Sequence, residues 1–105
     1  MIVTLTREAE ADLEAIGDYI AADNPARAAT FVQELVDRIA RLGDMPRAFP
    51  LVPRYEHTGV RRLPYGNYLI FYRVAKTRVE ILHILNGARD YEPLLFPDGW
   101  LPPES

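Results

Sequence analysis

Residues 84–94, ILNGARDYEPL, gather several side chains that could do chemistry directly after the most apolar run of the chain. An amide, a guanidinium, two carboxylates and a phenol stand within a few positions of one another. Such a group could cleave a phosphodiester if it held a general base, a general acid and a cation for the phosphate. It could equally bind a protein, because tyrosine and arginine contribute most at protein interfaces.

The cations that cleavage needs are present in the second half of the chain: Arg61, Arg62, Arg73 and Arg89. The acid–base pair is harder to find. The chain has two histidines, and His57 lies in a proline-rich loop. Tyr91 or Glu80 could replace a histidine only with a strongly shifted pKa. The residues therefore favour binding over catalysis.

His83 belongs to an apolar strand, in which alternation would place its side chain on the same face as Val79, Ile81 and Leu85. A histidine on such a face is more often a packed residue with a hydrogen-bond partner than a catalytic one. We therefore expect His83 to be structural.

No cofactor is expected. The sequence contains no cysteine, and the two histidines lack the spacing of metal ligands. No glycine-rich loop leads into a helix, which excludes a P-loop nucleotide site.

Protein binding, unlike cleavage, requires no acid–base pair among these residues. Arg61, Arg62, Arg73, Arg89 and Tyr91 are the candidates for contacting a target. Simpler interpretations stay open: Arg89 could form a local ion pair with Asp90, and any of the arginines could simply be solvated. Alternation also sends Arg61 and Arg62 to opposite faces of their strand, so only one can belong to a shared surface.

Two amphipathic helices precede these residues. Residues 2–5 predict a strand, and Thr6 then caps a helix whose apolar stripe is Ala9, Leu13, Ile16 and Ile20. Asn24-Pro25 starts a second helix that ends at Gly43. The short link between them predicts an antiparallel helical hairpin.

Three strands follow a proline-rich loop, at residues 60–63, 67–74 and 78–85. Residues 64–66 and 75–77 are short enough to be hairpin connections. The order predicts an α+β domain over residues 1–92, with the helical hairpin packed on an antiparallel sheet that includes a three-strand meander. Residues 93–105 predict a proline-rich tail, irregular from Phe96 onward, part of which Phe96 and Trp100 could fix to the domain.

The hairpin has more apolar positions than one sheet can bury. Ala15, Tyr19, Val32 and Val36 widen its apolar surface beyond one core face. An exposed apolar patch usually marks an interface, so these four residues are candidates for binding a partner.

Charge is distributed unevenly: residues 1–44 hold four arginines against nine carboxylates, and residues 45–91 hold eight basic residues against three acidic ones. There is neither a signal-peptide pattern nor a run of about 18 apolar residues that could span a membrane. We expect a cytoplasmic protein without membrane association.

Three segments together resemble the RelE/ParE family of bacterial type II toxins: AEADLEAIGDYIAADNPARAATFVQEL, VRRLPYGNYLIFYRV and VEILHILNGARDYE. The DNPxxAxxF helix entry, the YRV strand and the GARDY ending are more similar to the ParE branch. This resemblance implies a toxin that poisons DNA gyrase by binding it and a ParD-like antitoxin that wraps the toxin. It implies no sequence-specific nucleic-acid binding by the toxin alone.

The alternative that the family offers is a RelE-like, ribosome-dependent messenger RNA endonuclease. Many relatives read His-Gly-Ala-Arg-Asp where this chain begins with Asn86. Asparagine does not titrate, so a proton-transfer role at this position is lost. This difference from the relatives favours a toxin that binds its target over one that cleaves RNA.

Overall fold

The computed structural model of the protein describes residues 1–97. Strand β1 (Ile2–Leu5) leads into helix α1 (Arg7–Ala21), and helix α2 (Pro25–Arg41) follows after a short link. Strands β2 (Val60–Tyr65), β3 (Tyr68–Val74) and β4 (Arg78–Asn86) form a meander, and helix α3 (Glu92–Leu95) comes after it. The predicted α+β order of strand, helical hairpin and three-strand meander is confirmed.

Both long helices begin at their predicted capping residues. The Thr6 hydroxyl accepts a hydrogen bond from the backbone N–H of Ala9 at 3.1 Å, and the Asn24 side chain accepts one from Arg27 at 3.0 Å. These bonds satisfy N–H groups that a first helical turn leaves without partners. Pro25 fits this turn because a helix start does not need its missing N–H.

The four strands form one sheet in the order β1-β4-β3-β2. The meander strands pair antiparallel, but β1 runs parallel to β4, with Ile2 opposite Arg78 and Leu5 opposite Ile81. The sheet is therefore mixed, and the expectation of an antiparallel sheet throughout is wrong. A parallel pair needs a long crossover, which the helical hairpin and the first two meander strands supply here.

The β2–β3 connection is tighter than predicted. Tyr65 pairs with Tyr68, so the loop is Gly66-Asn67 and not residues 64–66. Gly66 has a positive φ of 57°, which two-residue hairpin loops commonly require. Pro64 lies within β2 itself, which is tolerated because β2 is an edge strand.

The sheet has an apolar cluster on each face. The helices cover one face, and the buried residues there include Phe31, Leu35, Ile39, Ile70, Tyr72 and Ile81. A smaller cluster on the opposite face consists of Val52, Val60, Phe71, Leu85 and Phe96. No helix in the described part of the chain is long and apolar enough to cross a membrane.

A β-bulge in β4 changes which side chains share a face. Phe71 pairs with His83 and Tyr72 pairs with Ile81, so Leu82 has no partner on β3. An extra residue breaks the alternation of a strand. The expectation that His83 lies with Val79, Ile81 and Leu85 is therefore wrong, because Leu85 belongs to the opposite cluster.

The predicted tail starts with ordered structure. Helix α3 spans Glu92–Leu95, where no helix was predicted, and most of the irregular segment predicted from Phe96 onward lies outside the described residues. Phe96 follows it and is only 4% exposed, with its ring stacked on Tyr55 at a centroid distance of 4.0 Å. Glu92 also forms an ion pair with Arg54. The predicted role of Phe96 is confirmed, and Trp100 lies outside the described residues.

Candidate functional site

A groove of about 300 Å³ opens between the second half of α1 and the end of β4. Nine residues from α1, β3, β4 and the turn after β4 line it: Asp12, Ala15, Ile16, Tyr19, Tyr68, Ile84, Leu85, Asn86 and Arg89. Three predicted binding residues meet here, because Ala15 and Tyr19 were expected to contact an antitoxin and Arg89 a target. One surface thus carries residues assigned to two different partners.

Tyr19 and Arg89 determine what the groove can bind. Tyr19 is 77% exposed, so most of its ring faces solvent. Arg89 is also exposed, and its guanidinium forms no hydrogen bond or ion pair within residues 1–97. The local ion pair with Asp90 that the sequence allowed is therefore absent. An exposed aromatic ring and an uncommitted cation are the groups that protein interfaces use most.

Asn86 shapes the turn that carries Arg89. Its side-chain oxygen accepts a hydrogen bond from the N–H of Ala88 at 2.9 Å, and its backbone oxygen accepts one from the N–H of Arg89 at 3.0 Å. Asparagine commonly stabilises turns through such a bond two residues along the chain. Asn86 thus has a conformational role where many relatives were expected to carry histidine.

His83 has a carboxylate partner that connects α1 to β4. Its Nδ1 lies 2.8 Å from Asp12 Oδ2, and the same oxygen accepts a hydrogen bond from the N–H of Ile84 at 2.8 Å. The side chains of His83 and Asp12 are 22% and 20% exposed. The histidine has a polar partner, as expected, but it lies at the edge of the core and not inside it.

Arg62 and Tyr91 lie together, away from Arg89. The Arg62 guanidinium donates to the Tyr91 hydroxyl at 2.7 Å, and the Tyr91 ring packs against Phe71 at a centroid distance of 4.7 Å. Phe71 belongs to the cluster on the face opposite the helices. The residues predicted to contact a target therefore do not form one group. Arg62 and Tyr91 contact each other and lie apart from Arg89.

Arg61 and Arg73 are also in contact with protein groups. Arg61 donates to the Phe49 carbonyl at 2.7 Å and so holds the loop before β2. Arg73 forms an ion pair at 3.0 Å with Glu80, which Arg78 contacts at 2.9 Å. Hydrogen bonds from Arg78 and Arg73 lower the pKa of Glu80. The expected basic surface is not formed, because these arginines stabilise different parts of the fold.

The four candidate antitoxin residues do not form one surface. Val32 lies against Gly17, where an added Cβ would meet a Val32 methyl at 3.4 Å. Ala15 and Tyr19 are each two residues from Gly17, so about 200° of helical rotation separates them from that contact. Val36 is one helical turn beyond Val32 and is 41% exposed. Ala15 and Tyr19 therefore face the groove, whereas Val32 faces the joint between the helices.

The groove has limited means for catalysis. Among residues 1–97, no three His, Cys, Asp or Glu side chains converge to hold a metal ion. Asp12 is the carboxylate in the groove lining, and it already accepts two hydrogen bonds. His57 lies elsewhere, in a 3-10 helix (Glu56–Thr58) before β2. Apolar walls with two tyrosine rings, one arginine and one side-chain amide are better suited to binding.

Sequence reasoning missed Asp12 and Tyr68 as parts of the site. Asp12 stands one position before the apolar stripe residue Leu13, and this polar residue at the stripe's margin was a usable signal. Tyr68 begins β3 and packs on Phe31 at a centroid distance of 5.7 Å while it also lines the groove. Its role depends on how the end of the β2–β3 hairpin packs near α1, and no local sequence pattern specifies that packing.

Comparisons with known proteins identify the family. No curated protein sequence matches the chain. A solved structure of the chromosomal ParDE toxin–antitoxin system of P. aeruginosa matches at 30% identity and a TM-score of 0.71, covering 82% of this chain and 95% of that one. The RelBE2 toxin–antitoxin complex of Mycobacterium tuberculosis shares the fold, at 24% identity and a TM-score of 0.54, covering 81% and 95%. The profile of the ParE toxin of the parDE type II toxin–antitoxin system matches residues 3–91, and the chain belongs to this family of RelE/ParE toxins.

Proposed function

We propose that this ParE-family toxin inhibits growth by binding and poisoning DNA gyrase, and that a ParD-like antitoxin neutralises it. The observation that carries the proposal is the groove with the exposed Tyr19 ring and the uncommitted Arg89 guanidinium. Tyr19 stands on helix α1 and Arg89 in the turn after β4, and neither side chain forms a hydrogen bond or ion pair within the described residues. The activity belongs in the cytoplasm, where gyrase acts on DNA.

Binding suits this groove better than cleavage. Cleavage through a ribose hydroxyl requires one group to remove a proton and another to donate one, both close to a cation. Near Arg89, Asn86 cannot titrate, and Asp12 is held by His83 and the backbone. A binding site needs only complementary shape and charge, which the groove offers.

The antitoxin half of the proposal is supported by the relatives. The P. aeruginosa structure is described as a ParDE system, and the M. tuberculosis structure as a toxin–antitoxin complex. A partner that covers Ala15 and Tyr19 would also cover Arg89, because the three residues line one groove. Neutralisation would then follow from direct occlusion of the surface that contacts the target.

Two cell-free assays with one purified preparation test the target. We expect the toxin to inhibit supercoiling by gyrase and to leave translation of a reporter messenger RNA unaffected. The polypeptide from the neighbouring reading frame should restore supercoiling when added first. Arrest of translation with normal supercoiling would refute gyrase as the target and leave the family assignment intact.

A ribosome-dependent nuclease is the second candidate, and the Asp12–His83 pair favours it. A carboxylate bonded to Nδ1 orients an imidazole and leaves Nε2 for proton transfer. Messenger RNA integrity on ribosomes should be compared between the wild type and His83→Gln. Cleavage that His83→Gln abolishes, without a change in melting temperature, would establish the nuclease. We expect intact RNA with both proteins.

A further inference from the structure

A second concave surface lies where α2 ends and the loop before β2 begins. Six residues line this cleft: Arg38, Arg41, Leu42, Met45, Phe49 and Leu63. Its volume is about 100 Å³. Sites for whole small molecules usually measure roughly 300–1,000 Å³, so this cleft suits a single inserted side chain.

Two partly buried hydrogen bonds hold the cleft in shape. The fully buried Tyr72 donates its hydroxyl to the Pro46 carbonyl at 2.9 Å, and Arg61 donates to the Phe49 carbonyl at 2.7 Å. Leu42 and Leu63 form a floor that is almost completely buried. A partner would therefore meet a preformed surface and would not have to order this loop.

Met45 stands at the rim, and it is 51% exposed although the loop around it is fixed. An unbranched, polarisable side chain adapts well to the shape of a bound group. Met45 and the partly buried Phe49 leave apolar surface in water at the mouth of the cleft, and apolar surface exposed in this way often marks an interface. An apolar side chain from a partner would cover this surface.

The rim is positively charged. Arg38 lies over the ring of Tyr65 at 4.9 Å, and neither Arg38 nor Arg41 forms an ion pair within residues 1–97. Glu34 makes its direct contacts with Arg27 at 2.8 Å and with the Tyr65 hydroxyl at 2.6 Å, and it interacts with Arg38 only through its charge. Those two contacts also lower the pKa of Glu34.

Two acidic residues close in sequence to the rim, Asp37 and Asp44, form no ion pair with either arginine within the described residues. Asp37, next to Arg38 in the sequence, accepts a hydrogen bond from Gln33 at 2.9 Å. Asp44 is exposed and forms no ion pair within the described residues. Arg61 adds positive charge at the same loop, where its guanidinium donates to the backbone carbonyls of Arg47 and Phe49. The cleft is thus an apolar slot with a basic rim.

We propose that this cleft binds an acidic segment of a partner protein, which inserts one apolar side chain between Arg38 and Arg41. Carboxylates on either side of the inserted residue would face the two guanidinium groups, and complementary charge sets the register of such a contact. A nucleic-acid backbone would satisfy the arginines but would leave the apolar floor empty. The combination of floor and rim therefore favours a protein segment.

The cleft is separate from the Tyr19–Arg89 groove. Arg27, near the start of α2, adjoins Tyr19 and Tyr68. Fourteen residues further along the same helix, at about 1.5 Å per residue, Arg41 is roughly 21 Å away. The proposal thus goes beyond the proposed function, and it stands whether the groove binds gyrase or another target.

Fluorescence anisotropy with a defined probe tests the proposal. The probe is a short labelled peptide with one tryptophan between runs of glutamate, and the full-length toxin is the receptor. Arg38→Glu with Arg41→Glu should weaken binding about tenfold or more, as loss of paired charges does. The matched control, Arg7→Glu with Lys76→Glu, changes the net charge equally at exposed positions outside the cleft and should have little effect.

Variants of the probe decide between the alternatives. Binding should fall when the tryptophan becomes serine and when the glutamates become glutamines. Absence of peptide binding to the wild type, or equal binding of the glutamine peptide, would overturn the proposal. Tighter binding of a labelled DNA duplex that is lost in the Arg38/Arg41 variant would also overturn it and would indicate phosphate recognition.

A second readout locates the bound probe. The chain contains no cysteine, so Met45→Cys can carry one environment-sensitive fluorophore, and Glu10→Cys on an exposed part of α1 provides the control. The peptide should shift emission at position 45 and not at position 10. A shift at position 10 alone would place the peptide elsewhere and refute the proposal.

Discussion

The functional potential of each arginine depends on its contacts. Arg61 holds a loop, Arg62 contacts Tyr91, and Arg73 pairs with Glu80. Each of these interactions fixes the orientation of the guanidinium and so limits how it can contact a target. Arg89 makes no such interaction within the described chain, so its contact with a partner is not limited in this way.

Arg89→Ala separates binding from stability. Because Arg89 is exposed and unpaired within residues 1–97, its truncation should change the free energy of unfolding by less than about 0.5 kcal/mol. Loss of a central interface arginine typically weakens binding by about 2 kcal/mol. We therefore expect an unchanged melting temperature and weaker gyrase inhibition, with the exposed Lys76→Ala as the control. A large drop in melting temperature would show that Arg89 has a structural role.

Glu80 makes part of the stability depend on pH. Hydrogen bonds from Arg78 and Arg73 hold its pKa below the usual value of 4.5 in the folded state. Its stabilising contribution is therefore complete above pH 4.5 and is lost as the pH falls through the lowered pKa. Urea unfolding should show Glu80→Gln less stable than the wild type at neutral pH by about 1 kcal/mol or less.

Urea unfolding of the same two proteins at low pH provides the check. The stability difference between wild type and Glu80→Gln should shrink as the pH is lowered, because the wild-type carboxylate becomes protonated and loses its arginine contacts. A difference that is constant with pH would mean that the amide substitution acts through packing.

At the scale of elements, the sequence patterns predicted the helix starts, because short-range hydrogen bonds determine them. Thr6 and Asn24 start the helices because their side chains cap N–H groups within three residues. The bulge at Leu82 was not predictable, because it arises from how β4 pairs with β3. Asp12 and His83 meet across 71 positions of sequence, and no pattern within either element specifies that contact.

Helix α3 should stabilise the domain through Phe96. This residue is 4% exposed and stacks on Tyr55, whereas Leu94 in the same segment is 42% exposed. Truncating a buried phenylalanine typically costs about 3 kcal/mol, because the cavity and the lost transfer energy add. Phe96→Ala should therefore lower the urea midpoint clearly, and Leu94→Ala should leave it nearly unchanged. Equal effects would mean that α3 does not cover the sheet.

On the scale of the whole molecule, the chain covers both faces of the sheet and leaves the proposed binding groove open at one margin. Loop residues before β2 and the segment around Phe96 cover the face opposite the helices, where Arg62 and Tyr91 lie. The groove is instead at the open margin between α1 and β4. Sequence alternation assigned residues to faces correctly for Arg61 and Arg62, but it could not show which face the chain itself would cover.

This arrangement predicts that antitoxin and target exclude each other. Ala15, Tyr19 and Arg89 line one groove, so a protein seated on Tyr19 would bury Arg89 as well. Tyr19→Glu should therefore weaken binding of both the neighbouring-frame polypeptide and gyrase, because a carboxylate would be desolvated in either complex. Size-exclusion chromatography of the three proteins should give two binary complexes and no ternary one. A stable ternary complex that still inhibits supercoiling would show that the two partners use different surfaces.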